Sequence, residues 1–217
     1  MSATGTKRAK GWSIPHTSRR VFAELESLDW TKARVCDVGA GRGAFSQLVG
    51  EWLVHEKHLD PRAHLSACDL IPASFEYTGT DCARTNADGT LPFPDDHFDA
   101  TVSIEVVEHV QDQFAFLREL ARITKPGGRV IVTTPNVLNM NSRLRTLFTG
   151  FPALFDPLPL ANGDPRLLGG HIHPISPYFL AYVALRAGLE APELVHDRTK
   201  SSAAALAVLA SPALLAG

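Results

Sequence analysis

The sequence predicts an α/β fold in which a doubly wound, mostly parallel sheet is flanked by helices. Short β-branched segments alternate with segments whose apolar residues recur at helical spacing, and this alternation is typical of strand–helix–strand units. A glycine-rich turn follows the first strand, as expected where a strand passes into a helix. The composition, with 45% hydrophobic and 20% charged residues among 217, is typical of a globular domain and excludes disordered, collagen-like and coiled-coil chains.

The first two thirds of the chain contain the alternating elements. A first helix is expected after a cap at Thr17 or Ser18. The strands expected after it cover residues 34–38, 65–68, a short stretch ending near 87, 98–104 and 129–134, and helices cover 45–55 and 113–123. The second of these helices is expected to stop before Pro126, Gly127 and Gly128. Helices between strands allow parallel pairing, so the sheet is expected to be mostly parallel.

The last third departs from this alternation. Residues 136–175 are rich in proline and glycine, which predicts an inserted, lid-like loop and helix region, because long loops in small domains are usually functional or disordered. Ser176 is expected to cap a helix that Gly188 ends, and residues 190–196 are a candidate sixth strand. Residues 1–16 are expected to form a flexible arm, and the apolar tail 201–217 to pack against the domain or form a dimer contact.

Charge and cysteine content limit the possible functions. The net charge of −2 argues against a protein that holds long nucleic acid by bulk charge, so a nucleic-acid partner is not expected. Cys36, Cys68 and Cys82 form no C-x-x-C pair, which disfavours disulfides and favours a reducing, cytoplasmic location. The sequence has neither a secretory signal nor the run of ~18 apolar residues that a transmembrane helix requires, so no membrane span is expected.

The glycine turn is the sharpest local feature. Gly39, Gly41 and Gly43 lie between a strand and a helix, where glycine permits positive φ and close approach of a ligand to the backbone. A dinucleotide fingerprint would have the spacing G-x-G-x-x-G, which is absent here. Asp37, two residues before the first glycine, disfavours a pyrophosphate and suits a cationic ligand.

Two more acids follow the next two strands. Asp69 closes the second strand, from which a carboxylate can accept hydrogen bonds from both ribose hydroxyls. Asp88 follows the third strand and is placed to meet an adenine amino group. Open α/β sheets bind ligands in the crevice at the carboxyl ends of their strands, so the sequence predicts a nucleoside site lined by these acids.

These residues carry a resemblance to the class I S-adenosylmethionine-dependent methyltransferases, which have a Rossmann-like fold. Asp37–Gly43 resembles the first motif of that family, the segment 91–99 resembles its "LPF-x-D-x-x-FD" sequence, and 120–129 resembles its "L-x-PGG" turn. The resemblance covers about residues 20–195 and implies a methyltransferase domain over 17–200, with S-adenosylmethionine as cofactor and S-adenosylhomocysteine as product. The donor-binding residues that it implies are Asp37, Gly39, Ala40, Gly41, Gly43, Asp69, Leu70, Ala87, Asp88, Gly89 and Glu105.

The fourth strand ends in a group of polar residues. Glu105, Glu108 and His109 have i, i+3, i+4 spacing, so a helical turn that starts at Glu105 would place them on one face. His171 and His173 precede the last helix. Two carboxylates and imidazoles can hold a divalent cation such as Mg²⁺ or Mn²⁺, so the candidate metal ligands are Glu105, Glu108, His109 and His171. The candidate catalytic residues are His109, His171, His173 and Glu105, although structural histidines at a loop edge remain an equally open interpretation.

The E-x-x-E-H motif resembles that of two groups of metal-assisted O-methyltransferases, the ubiquinone-type enzymes and the small-RNA terminal ribose enzymes. The resemblance implies O-methylation of a hydroxylated small molecule, glycan or secondary metabolite, assisted by a base or a metal. Three alternatives stay open: methylation of an RNA 3′-terminal ribose, a non-catalytic donor-binding partner subunit, and a nicotinamide oxidoreductase, which the missing fingerprint disfavours.

Overall fold

The structure is a computed structural model, and it describes residues 15–159 and 170–195. The chain divides into two compact units, described separately below. The first unit contains the described residues up to Glu105 together with Ala115–Thr133, and the second contains Val106–Phe114 and the described residues from Thr134 onward. The expected tail 201–217, His196 and all of the expected arm except Pro15 and His16 lie outside the described residues, as do residues 160–169 of the expected lid.

The first unit contains a five-stranded sheet in which every neighbouring pair of strands is parallel. Its strands are β1 (Val35–Val38), β2 (Leu65–Asp69), β3 (Cys82–Arg84), β4 (Phe98–Ile104) and β5 (Thr124–Thr133). Their spatial order is β3-β2-β1-β4-β5, so the chain reverses its direction of travel across the sheet after β3. Ligands of open α/β sheets bind where the order reverses, here at the ends of β1 and β4. The predicted α/β fold is confirmed.

Helices flank the sheet of the first unit. They are α1 (Pro15–Leu25), α2 (Ala44–Trp52), the short α3 (Pro61–His64) and α4 (Gln113–Ile123), whose first two residues belong to the second unit. A π-helical turn, Leu53–Lys57, extends α2, and a 3-10 turn, Pro72–Ser74, follows β2. No helix among the described residues is long and apolar enough to span a membrane.

The core of the first unit lies between α1, α2 and the sheet. Val35, Val49 and Val102 are completely buried there. Trp52 packs edge-on against both Phe22 and Trp30, with ring centroids 5.1 and 5.4 Å apart. Burial of about 25 cal/mol per Å² of apolar surface makes this cluster the main stabilising contribution to the unit that carries the glycine turn.

The observed elements differ from the expected ones at four places. Helix α1 already includes Pro15 and His16, which precede the expected caps, and proline is compatible with a first helical turn. Strand β3 ends at Arg84, since residues 86–89 form a turn closed by the bond from Gly89 N to Asn86 O of 3.0 Å. Strand β5 begins at Thr124, paired with Phe98 across a register shift, and therefore includes the Pro-Gly-Gly segment. Residues 190–195 contain no strand.

The second unit contains a 3-10 turn (Val107–His109) and two helices, α5 (Met140–Thr149) and α6 (Pro177–Arg186). Asn139 caps α5, and Ser176 caps α6 as expected, by accepting a hydrogen bond from Phe179 N at 3.2 Å. Phe114 packs edge-on against Phe179 at 6.0 Å. Helix α5 shows that the expected lid region begins with regular structure.

Candidate functional site

The glycine turn joins β1 to β2 through its backbone. The amides of Gly39 and Ala40 both donate to the carbonyl of Cys68, at 2.9 and 3.1 Å. Gly39, Gly41 and Gly43 have φ values of 74°, 54° and 83°, a region that side chains disfavour. Glycine is therefore required here by the backbone conformation, which keeps the turn close to the end of β2.

Asp69 is fixed by two backbone amides. Its Oδ2 accepts from Gly41 N at 2.8 Å, and its Oδ1 accepts from Ile71 N at 2.8 Å. Each carboxylate oxygen has a second lone pair, so Asp69 can accept two further hydrogen bonds, as the vicinal hydroxyls of a ribose would require. Two backbone hydrogen bonds within the protein thus hold this carboxylate in place.

Asp37 is buried, at 2% exposure, and accepts a 2.6 Å hydrogen bond from Ser46 Oγ of α2. Desolvation raises the pKa of Asp37 to about 6. The hydrogen bonds from Ser46 lower this pKa, and the nearby charge of Asp69 raises it further. A cation close to this carboxylate would offset the desolvation, which agrees with the predicted preference for a cationic ligand.

Asp88 is exposed in the turn after β3. Its Oδ1 accepts from Thr90 N at 3.0 Å and from Thr90 Oγ1 at 2.7 Å, and these bonds lower the pKa of Asp88. Ala87 and Gly89 share this exposed turn, and Gly89 has φ +86°. The turn thus presents an ionised carboxylate to solvent, as an adenine contact would require.

A cavity of about 550 Å³ adjoins the glycine turn, within the usual size range of small-molecule sites. Its lining residues come from the turn and from the segment after β2: Gly41, Arg42, Asp69, Ile71, Ala73, Ser74 and Glu76. Leu70 and Ile71 are exposed apolar side chains beside Asp69. The sequence analysis did not predict Arg42, Ile71 and Glu76 as residues that line this cavity. The sequence feature that points to this segment is an apolar pair, Leu70 and Ile71, directly after an acid at the end of a strand.

Glu105 directly follows β4 and has φ +56°, a conformation that costs a residue other than glycine about 1–3 kcal/mol. Thr133 of β5 supports it: Glu105 N donates to Thr133 Oγ1 at 3.0 Å, and Thr133 Oγ1 donates to Glu105 Oε1 at 3.1 Å. Because of this backbone conformation, the helical turn expected to start at Glu105 starts at Val107 instead.

The second unit brings Glu108, His109 and His171 together. One potential ligand atom from each residue lies within 4.8 Å of the other two, and the two imidazole centroids are 4.7 Å apart. Glu105 is not part of this group. The carbonyl of Glu108 accepts from the amides of Ile172 and His173, at 3.0 and 3.1 Å, so the backbone itself joins the two segments.

The imidazoles of this group differ in their hydrogen bonding. Nδ1 of His109 lies 2.8 Å from the carbonyl of Gly170, which can only accept, so Nδ1 is the donor in this hydrogen bond. Nδ1 of His171 is buried and has no hydrogen-bond partner among the residues described. Burial and the neighbouring His109 lower the pKa of His171. A hydrogen bond with the backbone of Leu154 acts in the opposite direction and is outweighed.

An aromatic ring and a strained backbone segment lie next to His171. Phe155 is buried and lies 5.0 Å from the His171 ring, centroid to centroid. Leu154, whose backbone bonds His171, has φ +72°, a strained value for leucine. His173 contributes its backbone amide to Glu108 and is not part of the group of three ligand atoms. Two imidazoles and a buried carboxylate can accept a proton or bind a divalent cation.

Comparison with known proteins agrees with this architecture. The profile of a family described as "Methyltransferase domain" matches residues 14–194. A demethylmenaquinone methyltransferase of Tropheryma whipplei is 33% identical over 129 residues, 52% of this chain and 50% of the relative. This chain therefore spans about half the length of that relative. A ubiquinone biosynthesis O-methyltransferase of Ralstonia nicotianae is 27% identical over 202 residues, 86% of this chain and 79% of the relative.

A solved S-adenosylmethionine-dependent methyltransferase from Archaeoglobus fulgidus superposes with a TM-score of 0.54 at 18% identity, over 90% of this chain and 84% of the other. At this identity the likeness shows the fold alone. The family match covers most of the chain, and the parallel sheet with its glycine turn agrees with it. The expected relationship is confirmed: the chain belongs to the methyltransferase-domain family and has the class I fold of S-adenosylmethionine-dependent methyltransferases.

Proposed function

We propose that this chain transfers a methyl group from S-adenosylmethionine to a hydroxyl oxygen of a small acceptor, with Glu108, His109 and His171 assisting loss of the hydroxyl proton. The crevice of the first unit would hold the donor through Asp69, Asp88 and the glycine turn. S-adenosylmethionine supplies a methyl group that is already activated on a sulfonium, so an oxygen acceptor mainly requires alignment and removal of its proton.

One observation carries the proposal, namely that a carboxylate and two imidazoles from separate segments lie within 4.8 Å. Such a group has two uses in O-methylation. His171 has a lowered pKa and is neutral near pH 7, so it can accept a proton. Nε2 of His109, the ring nitrogen that does not bond Gly170, is the second candidate acceptor in this group.

The same residues fit a divalent cation. Each histidine offers one ring nitrogen to the group, and the hydrogen bond from His109 to Gly170 is the kind that orients metal-binding imidazoles. Glu108 supplies a buried carboxylate. Mg²⁺ or Mn²⁺ held there would lower the pKa of an acceptor hydroxyl. The remaining residues predicted to bind the donor or to act in catalysis, His173 and Glu105 among them, stay predictions.

One of the two named relatives supports an oxygen acceptor. The Ralstonia protein is described as an O-methyltransferase of ubiquinone biosynthesis, and it matches most of the present chain. For this chain we therefore favour a small molecule with neighbouring hydroxyls, and glycans and secondary metabolites belong to the same chemical class. An RNA 3′ end gains no support from the net charge of −2.

The test is methyl transfer from labelled S-adenosylmethionine to catechol and 3,4-dihydroxybenzoate, with an RNA oligonucleotide as a second acceptor. Each reaction is run with and without a chelator, on the wild type, His171→Ala and His55→Ala. His55 is an exposed histidine of the first unit and serves as the control. Loss of general acid–base assistance typically costs 10²- to 10⁴-fold in rate, so a loss of at least about 100-fold is expected in His171→Ala alone.

The reactions with chelator, with each variant and with each acceptor distinguish a metal-assisted from a base-assisted mechanism, and a small-molecule from an RNA acceptor. Loss of activity both with chelator and in His171→Ala supports the metal version, and loss in His171→Ala alone supports the base version. An unchanged rate in His171→Ala contradicts the role of the group. Methylation of RNA alone contradicts the small-molecule acceptor. Donor binding without methyl transfer to any hydroxylated acceptor, diols and sugars included, would instead indicate a binding subunit.

A further inference from the structure

The segment 70–76 after β2, here called the strap, returns toward the glycine turn. It contains the 3-10 turn Pro72–Ser74, in which Ser74 N donates to Ile71 O at 3.0 Å. The rest of the strap has no regular structure. Its position therefore depends on contacts with other segments rather than on a ladder of backbone hydrogen bonds.

Arg42 of the glycine turn makes the main polar contacts with the strap. Its carbonyl accepts from Glu76 N at 3.1 Å. Its Nε donates to Glu76 Oε1 at 3.0 Å, and its Nη2 contacts the same oxygen. A backbone bond and a charge-assisted pair thus join two residues that are 34 positions apart.

Phe75 adds an apolar contact at the same place. A Cβ atom built on Gly43 would lie 2.7 Å from Phe75 Cε2, so this ring occupies the space that any larger residue would need. The strap therefore contacts the turn at two successive residues, Arg42 and Gly43.

The two oxygens of Asp69 link these contacts to the ligand crevice. One oxygen accepts from the turn at Gly41, and the other accepts from the strap at Ile71. A shift of the strap relative to the turn must lengthen one of these bonds or rotate the carboxylate. Arg42 and Glu76 also line the cavity of about 550 Å³ beside Asp69.

We infer that Arg42 and Glu76 are positioning residues for donor binding: their ion pair holds the strap on the glycine turn and so fixes the orientation of Asp69. This inference rests on the proposed function, in which Asp69 binds the donor ribose. The side chains of the pair are 38% and 42% exposed, so the pair itself contributes little to global stability. Loss of the ion pair is expected to lower the affinity for the donor.

The experiment measures binding of S-adenosylmethionine and S-adenosylhomocysteine by calorimetry to the full chain. The variants are Arg42→Gln, Glu76→Gln, the double variant and the conservative Arg42→Lys. Lys32→Gln is the matched control, because it breaks another exposed ion pair, with Asp29, on the same unit. Thermal midpoints and the KM and kcat for the donor are recorded in parallel.

Each single variant is expected to weaken donor binding about threefold to fivefold, the range set by ion pairs worth up to about 1 kcal/mol. The double variant should bind no more weakly than either single one, because the pair is already broken. Arg42→Lys should recover part of the affinity, and KM for the donor should rise while kcat stays constant. The control should bind like the wild type.

Three results would overturn the inference: unchanged affinity in the single variants, additive losses in the double variant, or losses matched by a falling thermal midpoint in every variant. These outcomes presuppose that the wild type binds the donor. If the wild type itself fails to bind, the donor assignment fails first, and the two failures are thereby distinguished.

Discussion

Replacement of the buried Asp37 by asparagine tests the electrostatics of the glycine turn. Burial raises the pKa of this carboxyl from 3.8 in the unfolded chain to about 6 in the folded protein. Between pH 4 and pH 6 the folded protein therefore retains a proton that the unfolded chain has lost, so its stability falls as the pH rises. About two pKa units correspond to roughly 3 kcal/mol of unfolding free energy, which is fully lost above about pH 7.

The assay is urea unfolding of the wild type and Asp37→Asn from pH 4 to pH 8. Asparagine has no charge to desolvate, and its carbonyl can still accept from Ser46 Oγ. The variant should therefore gain up to about 3 kcal/mol relative to the wild type as the pH rises from 4 to 7, by the same linkage. Asp88→Asn is the control of opposite sign, because hydrogen bonds from Thr90 lower the pKa of Asp88. A difference curve for Asp37→Asn that is flat, or that falls with pH, would refute the reasoning.

Two further substitutions test how the crevice is built. Gly43→Ala should lower the unfolding free energy by about 1–3 kcal/mol in urea titrations, because φ is +83° and the new Cβ would meet Phe75; no loss would contradict a required glycine. Arg122→Gln should cost about 1–3 kcal/mol, because Arg122 donates to the carbonyls of Leu91 and Phe93 at 3.0 and 2.8 Å. Faster hydrogen exchange confined to residues 91–95 would accompany it, and unchanged exchange there would contradict this role.

The sequence was sufficient wherever local periodicity and packing agreed. Phe98–Ile104 and Gln113–Ile123 have the predicted bounds, because the first is a buried β-branched run and the second carries apolar residues at helical spacing. Strand β3 is only three residues long and half-exposed, so periodicity could not locate it. Residues 190–195 contain the apolar pair Leu194 and Val195 but form no strand, because propensity does not supply a pairing partner.

The residues of the candidate site also divide into those that the sequence predicts and those that it does not. The position of the acids and glycines at one edge of the sheet could be predicted, because the carboxyl ends of parallel strands lie at that edge. The left-handed backbone of Glu105 could not, since glutamate is not among the residue types that are enriched in this conformation. The approach of His171 to His109, and the pairing of Arg42 with Glu76, depend on tertiary packing between segments far apart in the chain.

Calorimetric titration of the chain with S-adenosylhomocysteine tests the central assignment most directly, in the wild type, Asp69→Asn and the exposed control Asp81→Asn. We expect the wild type and the control to bind at micromolar concentration. Asp69→Asn should bind at least about tenfold more weakly, because amide oxygens accept hydroxyl hydrogen bonds less strongly than carboxylates do. Absence of binding by the wild type, or equal affinity in Asp69→Asn, would contradict the donor site described above.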